Sequence, residues 1–443
     1  MAASLTVAQE QPATTPLTGV ELARIVQNGA SARATALDIA QINRTVYVED
    51  YGAVSDGTAL TGTDNSAAFA AAFTAAPHVK ARNPSGRYWL KNVDIPAGRT
   101  LDMCGAIVQP AAGADYCFRV MDRSQLRNAE FRDSPNNSLK STTLTVAAVA
   151  GDTSVTVANP ALFYAGGLIV IVSDVDSGLT AGYGGPKLAV NHATVVSIVG
   201  SVVNLSEPLQ YAAGTGKAAL TSLGCVVVEG STTAVQNLFI TTVPLGMTVR
   251  SPIAGGGVGK VRITDVEMNT CLLGGIAELG SVSSATYGNI RGYLQSSLAG
   301  YVAAFGHKTD GSQAVTTKGG HHLTRCDWLN AQEAFDFQDS EYVSLTDCYA
   351  DTGTGVGVRI GQGTNDVLIS GQWAAFMGKG ISVSGASARV YVFSCYTYST
   401  SPAVPWGQSI SLEVEDGCTD VYIDKNSWRR SQSMRATAGW DTI

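Results

Sequence analysis

The sequence repeats one short pattern five times near its end, as LTRCDW (323–328), LTDCYA (345–350), ISGQWA (369–374), VFSCYT (392–397) and IDKNSW (423–428). Aligned on one another, these segments place one residue from each in a single column: Cys326, Cys348, Gln372, Cys395 and Asn426. The steps between successive members are 22, 24, 23 and 31 residues. A repeat of this length is typical of solenoids, in which each unit stacks on the one before it.

A second pattern follows four of these segments. It reads AFDFQDS (334–340), GVRIGQG (357–363), GISVSGA (380–386) and SISLEVEDG (409–417). Alternation of apolar and polar side chains indicates a strand with one buried face. The segments are too short, and too rich in glycine and β-branched residues, for helices. The sequence therefore predicts an all-β chain folded as a right-handed parallel β-helix.

The column extends upstream through Ile290, Val266, Leu238, Ala129 and Cys104, which predicts about ten coils. Two longer steps leave room for loops within 306–320 and 399–409.

The eight cysteines contain no CxxC spacing, so a zinc or redox site is not expected. Three of them share the column and are expected to pack as small hydrophobes, with disulfides across rungs as the alternative. We expect no metal and no cofactor.

The charge and the apolar content of the sequence limit which partners and which compartment are expected for this chain. The formal net charge of -7 argues against nucleic acid, which requires a basic face. No run approaches the length of apolar sequence that spans a bilayer, so membrane insertion is not expected. The start, MAASLTVAQEQPATTPL, lacks the basic residues and apolar core of a secretory signal. We therefore expect the chain to be made and assembled in a cytoplasm.

Five regions follow from the pattern. Residues 1–47 form an N-terminal segment in which two short strands flank a turn at Gln27, Asn28 and Gly29. A helix containing Phe69 and Phe73 is expected to cap the first coil. The regions are 1–47, the capping segment and first coils 48–141, an inserted small β domain 142–216, the main β-helix 217–428 and a C-terminal cap 429–443.

Two segments resemble parts of phage tail proteins. The first resembles a short N-terminal virion-attachment segment, through Gly19, Glu21, Val26, Gln27, Asn28, Gly29, Thr35, Asp38 and Ile39. The second resembles the leading segment of the pectate-lyase-like superfamily, widespread in phage tailspikes, through Asp50, Tyr51, Gly52, Ala53, Asp56, Gly57, Thr63 and Asp64. Ser55 and Asn65 depart from its commonest pattern. This resemblance implies a tailspike fold, a homotrimer in the virion, a phage tail or baseplate partner and a bacterial surface polysaccharide as ligand.

Candidate chemistry follows from the outward strand positions. Carboxylates on neighbouring rungs, roughly 5 to 10 Å apart, fit the acid and base of a glycosidase. We predict the catalytic residues Asp336, Asp339 and Glu278, with Glu333 and Glu341 as weaker candidates. Arg359, Gln338 and Trp406 are predicted to bind substrate. The proton donor should be the carboxylate further from Arg359, because a nearby guanidinium favours ionisation.

Other interpretations stay open. The outward charges also fit a solvated face without chemistry. His307, His321 and His322 could serve a lyase, although a His pair at a coil corner also fits a surface turn. Trp328, Tyr349, Trp373 and Tyr396 are either sugar platforms or packing residues. No catalytic motif of a polygalacturonase or pectate lyase is present. The functional alternatives are a polysaccharide depolymerase, a non-catalytic receptor-binding tail protein and, more weakly, a secreted pectinase-like enzyme.

Overall fold

Parallel strands stacked along one axis form the largest sheet of this chain. The computed structural model describes residues 6–7, 22–27, 30–35, 44–133, 137–176, 188–251, 257–293, 305–308, 319–331, 333–351, 355–361, 363–375, 377–398, 410–424, 426–429 and 435–436. The predicted all-β parallel β-helix is confirmed, because the strands of the 29-stranded sheet pair in parallel with their equivalents one turn later.

Each turn contributes to three parallel sheets, which we name A, B and C. Sheet A consists of Val93–Ile95, Phe118–Val120, Val226–Val228, Phe305–Lys308, Glu333–Gln338, Val356–Gly361, Lys379–Val383, Ile410–Val414 and Arg435–Ala436, with the last parts of Ala234–Arg250 and Arg262–Leu279. Sheet B consists of Thr45–Tyr47, His78–Lys80, Thr100–Asp102, Glu341–Thr346, Asn365–Ser370, Ala388–Phe393 and Thr419–Asp424, with the first parts of Gln125–Arg132, Ala234–Arg250, Arg262–Leu279, Thr286–Tyr293 and Gly319–Leu329. Sheet C consists of Arg87–Leu90, Ile107–Pro110, Tyr349–Asp351, Trp373–Ala375, Tyr396–Tyr398 and Ser427–Arg429. It also contains the later parts of the five long strands that begin in sheet B, which are Gln125–Arg132, Ala234–Arg250, Arg262–Leu279, Thr286–Tyr293 and Gly319–Leu329. Two short strands, Val258–Gly259 and Val282–Ser283, pair at the corner between sheets A and B.

The predicted column is confirmed from Ala129 onward. Ala129 pairs with Leu238, which pairs with Val266, and the series continues through Ile290 to Cys326. All of these side chains are buried, as are Cys348, Gln372 and Cys395. The column cysteines carry free thiols inside the coil, as the packing interpretation predicted.

The predicted position of Cys104 is wrong. Its side chain is exposed and its backbone lies in the left-handed region, with φ +54°. The column instead continues to the buried Ala106, whose carbonyl accepts a hydrogen bond from the Glu130 amide at 3.1 Å. The chain makes a wider turn here than in later coils, which displaces Cys104 from the interior.

A sharp corner joins sheet B to sheet C. The residue before a column member has a positive φ at four successive rungs, of 57° at Asn128, 52° at Asn237, 58° at Asp265 and 53° at Asn289. Asn and Asp tolerate this left-handed conformation better than most residues. Their side chains also bond between rungs, since Asn237 Nδ2 donates to Asn128 Oδ1 at 2.8 Å and Asn289 Nδ2 donates to Asp265 Oδ1 at 3.0 Å. We call this column of turns the Asx corner.

The helix Ser66–Ala75 lies against the first coils. Asp64 Oδ1 accepts a hydrogen bond from the Ser66 amide at 3.0 Å and so satisfies one of the free donors at the helix start. Phe69 and Phe73 are buried, and the Phe69 ring lies 5.8 Å from the Tyr88 ring, centroid to centroid. The short 3-10 helix Val48–Tyr51 precedes it, and another covers Pro160–Leu162. Within the described part of the chain, helices fall short of the length and hydropathy that crossing a membrane requires.

The N-terminal segment contains a small antiparallel sheet. Its strands are Thr6–Val7, Leu22–Gln27 and Ala30–Thr35. Gln27 pairs with Ala30, so the two longer strands are joined across two residues, and the predicted pair of strands is confirmed.

A second antiparallel sheet is inserted between the coils and packs on sheet A. Its order is Lys140–Thr143, Ala218–Thr221, Leu168–Asp176, Leu188–Val199, Val202–Leu205 and Ser154–Thr156. One of its faces, which includes Ile169 and Ile171, forms a separate small core. The other face, which includes Leu168 and Val170, packs with Leu279 and neighbouring leucines of the coil. The inserted sheet therefore covers part of the outer face of sheet A.

The interior of sheet C depends on one glycine. Gly292 pairs with the fully buried Trp328, and a Cβ atom at position 292 would lie 1.9 Å from Trp328 Cε3. We expect Gly292→Ala to lower the free energy of unfolding by about 1–3 kcal/mol or more, because an overpacked core forces neighbouring side chains to shift. The measurement is the urea midpoint at constant m-value.

Gly288→Ala is the matched control for this substitution. Gly288 lies in the same strand, and a Cβ atom there would make only an ordinary 3.6 Å contact with Thr264 Cγ2. We expect its free energy of unfolding to stay within about 0.5 kcal/mol of the unmodified protein. Equal midpoints for the two variants would contradict the tight packing of Trp328 over Gly292.

Candidate functional site

Asp336 lies on the outer face of sheet A, as the alternation with Phe335 and Phe337 predicts, but solvent does not reach it. The inserted sheet covers it, and its side chain is 0% exposed. Gln338 is also buried, and its Nε2 donates to both Asp336 oxygens at 3.0 and 3.2 Å. Asp336 and Gln338 therefore do not lie on a surface open to a ligand, contrary to the prediction of a catalytic and a substrate-binding residue. A polysaccharide cannot contact either side chain in this arrangement.

Glu278 faces the interior of the coil, contrary to the prediction of an outward carboxylate. It pairs with Val249, an inward residue of the preceding turn. It accepts a hydrogen bond from the buried Tyr287 hydroxyl, and its Oε2 lies 3.0 Å from His321 Nδ1. The cause is a bulge, since Val243 pairs with Cys271 whereas Leu245 pairs with Gly274. One extra residue reverses the inward and outward alternation that follows.

Arg359 and Glu333 form an ion pair beside Asp336. Burial acts to lower the pKa of the Arg359 guanidinium, but the negative charges of Glu333 and Asp336 outweigh it, so the net shift is upward. His192 of the inserted sheet completes the group, with its Nε2 3.6 Å from Asp336 Oδ2. We call His192, Glu333, Asp336, Gln338 and Arg359 the covered cluster. Within it Arg359 pairs with Glu333 and Gln338 with Asp336.

The remaining predicted residues lie elsewhere. Asp339 is half-buried at the corner after sheet A, with φ +52°. Glu341 is exposed on sheet B, and His322 is exposed with its Nδ1 2.8 Å from Ser344 Oγ. Trp406 and the side chain of His307 lie outside the described residues. The structure therefore does not bring Asp336, Asp339 and Glu278 together on one surface.

An open groove lies on sheet C, beside the Asx corner. It encloses about 660 Å³. Its lining includes carboxylates, amides and one guanidinium, among them Asp102, Glu130, Asp265, Glu267, Asn289 and Arg291. Glu267 and Arg291 are exposed to solvent, in contrast to the covered cluster. The groove is therefore a surface that an extended polar polymer can reach.

The groove continues as one column of outward residues along sheet C. Strand pairing places them in register, in the order Glu130, Phe239, Glu267, Arg291, Asp327, Tyr349, Trp373 and Tyr396. We call this column the sheet C stripe. Neighbouring rungs lie roughly 4.8 Å apart, so from Glu267 onward the stripe presents three charged groups and then three aromatic rings, while Phe239 lies between Glu130 and Glu267.

In the charged part of the stripe, one carboxylate lies on each side of a guanidinium. Glu267 and Asp327 are two rungs apart, or roughly 10 Å between strands. Arg291 lies between them, with its Nε 3.6 Å from Asp327 Oδ2. Partial burial raises the pKa of Asp327, and the positive charge of Arg291 opposes that rise. Asp327 thus holds its proton to higher pH than an ordinary aspartate does.

The aromatic part of the stripe consists of three rings in contact. The Trp373 ring centroid lies 6.1 Å from that of Tyr349 and 4.9 Å from that of Tyr396. Trp373 is 51% exposed, so one part of its ring remains open to a ligand. Trp328 is fully buried in the coil, so it is a packing residue and not a sugar platform.

The sequence contained a signal for this stripe. Each charged member directly follows a member of the buried column, as in Asn128-Ala129-Glu130 and Asp265-Val266-Glu267. The residue after an inward residue must face outward. The alternation that predicts the outward residues of sheet A therefore also predicts the stripe on the shorter strands of sheet C.

The fold places the chain in the class of parallel β-helix proteins. No protein-family model matches the chain, and no curated protein matches it. Among solved structures it is similar to a tailspike of Acinetobacter baumannii bacteriophage Fri1, a capsular polysaccharide depolymerase, at 9% identity over 98% of this chain and 70% of that chain, with a TM-score of 0.50.

Two further solved structures are similar at lower scores. The A-module of an Azotobacter vinelandii mannuronan C-5 epimerase shares 12% identity over 89% of this chain and 100% of its own, with a TM-score of 0.44. A Streptococcus pneumoniae surface adhesin shares 10% identity over 89% of this chain and 93% of its own, with a TM-score of 0.43. Several phage tailspikes are among the similar structures, and the likeness at these identities is one of fold.

Proposed function

We propose that this chain is a phage tailspike that binds a bacterial surface polysaccharide, capsule or lipopolysaccharide, along the sheet C stripe and cleaves it as an endo-glycosidase. The observation that carries the proposal is the arrangement of Glu267, Arg291 and Asp327 on three successive rungs, continued by three rings in contact. The protein would act in the virion tail after assembly in the host cytoplasm.

Binding follows from the chemistry of the stripe. Flat aromatic faces such as that of Trp373 match the C–H faces of sugar rings. The amides of the Asx corner and the carboxylates beside it donate to and accept from sugar hydroxyls. Because the stripe runs along the coil axis, an extended chain would contact several rungs at once.

Cleavage would use Asp327 as general acid and Glu267 as general base. Glu267 takes a proton from a water molecule, whose oxygen attacks the anomeric carbon. The glycosidic C–O bond breaks, and Asp327 gives its proton to the leaving oxygen. A separation of roughly 10 Å leaves room for the water and is closest to the spacing of inverting enzymes. The raised pKa of Asp327 supports the acid role.

The second candidate function is receptor binding without cleavage. The ion-pair contact of Asp327 with Arg291 favours this alternative, because a neighbouring guanidinium stabilises the ionised carboxylate. The same stripe would then hold the polysaccharide without hydrolysing it. A search for released oligosaccharides separates the two functions.

The assembly that we propose is a homotrimer, attached to a phage tail or baseplate protein through the N-terminal segment. Apolar side chains on sheet B support it, because Leu368, Tyr391 and Phe393 are 38%, 45% and 38% exposed. Tyr391 also stacks on Tyr422 at 4.9 Å, ring planes 9° apart. Exposed apolar surface of this kind is typical of interfaces, and three copies around an axis would bury it.

Incubation with capsule or lipopolysaccharide of a susceptible host should release oligosaccharides. Glu267→Gln and Asp327→Asn should each lower the rate of release about 100-fold or more, because each removes one proton-transfer group. Reducing-end assays and chromatography measure the products, and thermal unfolding checks that the fold is intact.

Glu341→Gln is the control for this experiment, because Glu341 is an exposed carboxylate on sheet B. It should retain full activity. Full activity in both stripe variants would place the chemistry elsewhere. Binding without any product from the unmodified protein would establish the receptor-binding function instead.

The pH profile should depend on Arg291. A general acid must be protonated, so the rate should fall as pH rises through the raised pKa of Asp327. Arg291→Gln removes a charge that lowers this pKa, so the alkaline limb of kcat/KM should move to higher pH. Arg262→Gln, an exposed arginine on sheet B, should leave the limb in place. A limb that stays or moves to lower pH in Arg291→Gln would refute Asp327 as the acid.

Light scattering should give a particle of three chains. Tyr391→Asp should shift the mass toward one chain, because it places a charge within the proposed apolar interface. Tyr391→Phe keeps the ring and should remain trimeric. A single-chain mass for the unmodified protein would exclude the homotrimer.

A further inference from the structure

Three potential metal ligands meet where the inserted sheet covers sheet A. His192 comes from the inserted strand Leu188–Val199, while Glu333 and Asp336 come from the sheet A strand Glu333–Gln338. His192 Nε2 lies 3.6 Å from Asp336 Oδ2 and 3.8 Å from Glu333 Oε2. All three ligand atoms lie within 4.8 Å of one another. The group links two parts of the fold that are far apart in sequence.

The spacing does not fit direct hydrogen bonds. An N–H···O bond requires about 2.7–3.2 Å between nitrogen and oxygen, and both distances from His192 exceed this range. Ligand atoms that surround one ion at about 2.0–2.2 Å are separated by roughly 3 to 4 Å from each other. The positions of the three atoms therefore suit coordination of one cation between them.

Two of the ligand atoms are buried without a hydrogen-bond partner. Among the described residues, neither His192 Nε2 nor Glu333 Oε2 has one. Their side chains are only 7% and 3% exposed, so bulk water does not satisfy them. Buried polar atoms are nearly always paired, and unpaired ones require an explanation. A cation at the centre of the group supplies a partner for both.

Neighbouring side chains fix the orientation of the two carboxylates. Arg359 contacts the other oxygen of Glu333, and Gln338 donates to Asp336. Outer hydrogen bonds of this kind hold ligands in place around a metal. Glu333, Asp336 and Arg359 carry a summed formal charge of -1, which a cation offsets. The alternative is a protonated His192 that forms a long ion pair with both carboxylates.

We propose that His192, Glu333 and Asp336 bind a divalent transition-metal ion of the zinc or manganese class, which fastens the inserted sheet to sheet A. Imidazole and carboxylate ligands suit these ions, and three protein ligands leave a further position for water. The proposal departs from our expectation of no metal, which rested on cysteine spacing. The histidine lies 141 residues from Glu333, so local sequence gives no motif. The metal-site proposal does not depend on polysaccharide binding.

Metal content tests the proposal directly. Tag-free full-length protein is stripped with a chelator, exchanged into metal-free buffer, incubated with ZnCl₂ or MnCl₂ and separated from free ion by gel filtration. Elemental analysis should give about one ion per chain, and the midpoint of thermal unfolding should rise with added ion. His192→Gln and Asp336→Asn should bind at least about tenfold more weakly.

His322→Ala is the matched control, because His322 is an exposed histidine whose Nδ1 lies 2.8 Å from Ser344 Oγ on sheet B. It should bind the ion as the unmodified protein does. Cobalt(II) absorption in the visible range gives a second readout that reports the ligands and not the stability. A variant that fails to fold is replaced by Glu333→Gln, which keeps the side-chain volume.

The outcomes separate a metal site from an ion pair. Stoichiometric binding that is lost in His192→Gln and retained in His322→Ala supports the site. Absence of binding to the stripped protein overturns it, and so does equal binding by His192→Gln. An NMR titration that finds a protonated His192 ring in the presence of excess zinc also overturns the proposal and establishes the ion pair.

Discussion

The backbone register between successive rungs determines every other feature of this protein. Leu238 stacks beside Val266, and Val266 beside Ile290, because parallel hydrogen bonds hold each strand in one position relative to the next. Side chains alternate with a period of two, so a slip by one residue would turn the core outward and the charges inward. The left-handed residues of the Asx corner reinforce this register, because Asn237 bonds to Asn128 across rungs. A single rung has no such neighbours, so stability and the outward surface both come from stacking.

The alternation of side chains, held by the register between rungs, explains how far the sequence predicted the structure. The repeat was sufficient for the parallel β-helix and for the column from Ala129 onward, because both follow from local spacing. It failed at Glu278, because the bulge before Gly274 shifts the register by one residue, so that Arg250 pairs with Leu279. It failed at Cys104 because the corner from Asp102 to Ile107 contains more residues than its equivalent one turn later, from Arg127 to Glu130. Neither irregularity has a signature in the repeat itself.

Accessibility is the part that local patterns do not contain. The Asp336 side chain points outward, as the alternation predicts. The inserted sheet, whose strands lie far upstream in the sequence, nevertheless covers it. One signal of that covering was present in the sequence. The run Leu168 to Val172 is apolar without alternation, and a strand of this kind is buried on both faces. A strand buried on both faces must pack on something besides its own small core, and here it packs on sheet A.

The covering also divides the charges of the coil into two kinds. Beneath the inserted sheet, carboxylates occur with partners, as Glu333 with Arg359 and Glu229 with Arg250, because an unpaired charge is costly in a buried setting. On sheet C, water screens Glu267, which has no ion pair within the described part of the chain. Asp327 lies between these limits, half-buried and beside Arg291. A carboxylate that already has a buried partner must lose it to bind a sugar, whereas an exposed one exchanges only water. Exposed carboxylates such as Glu267 therefore lie on a sheet that the insertion leaves open.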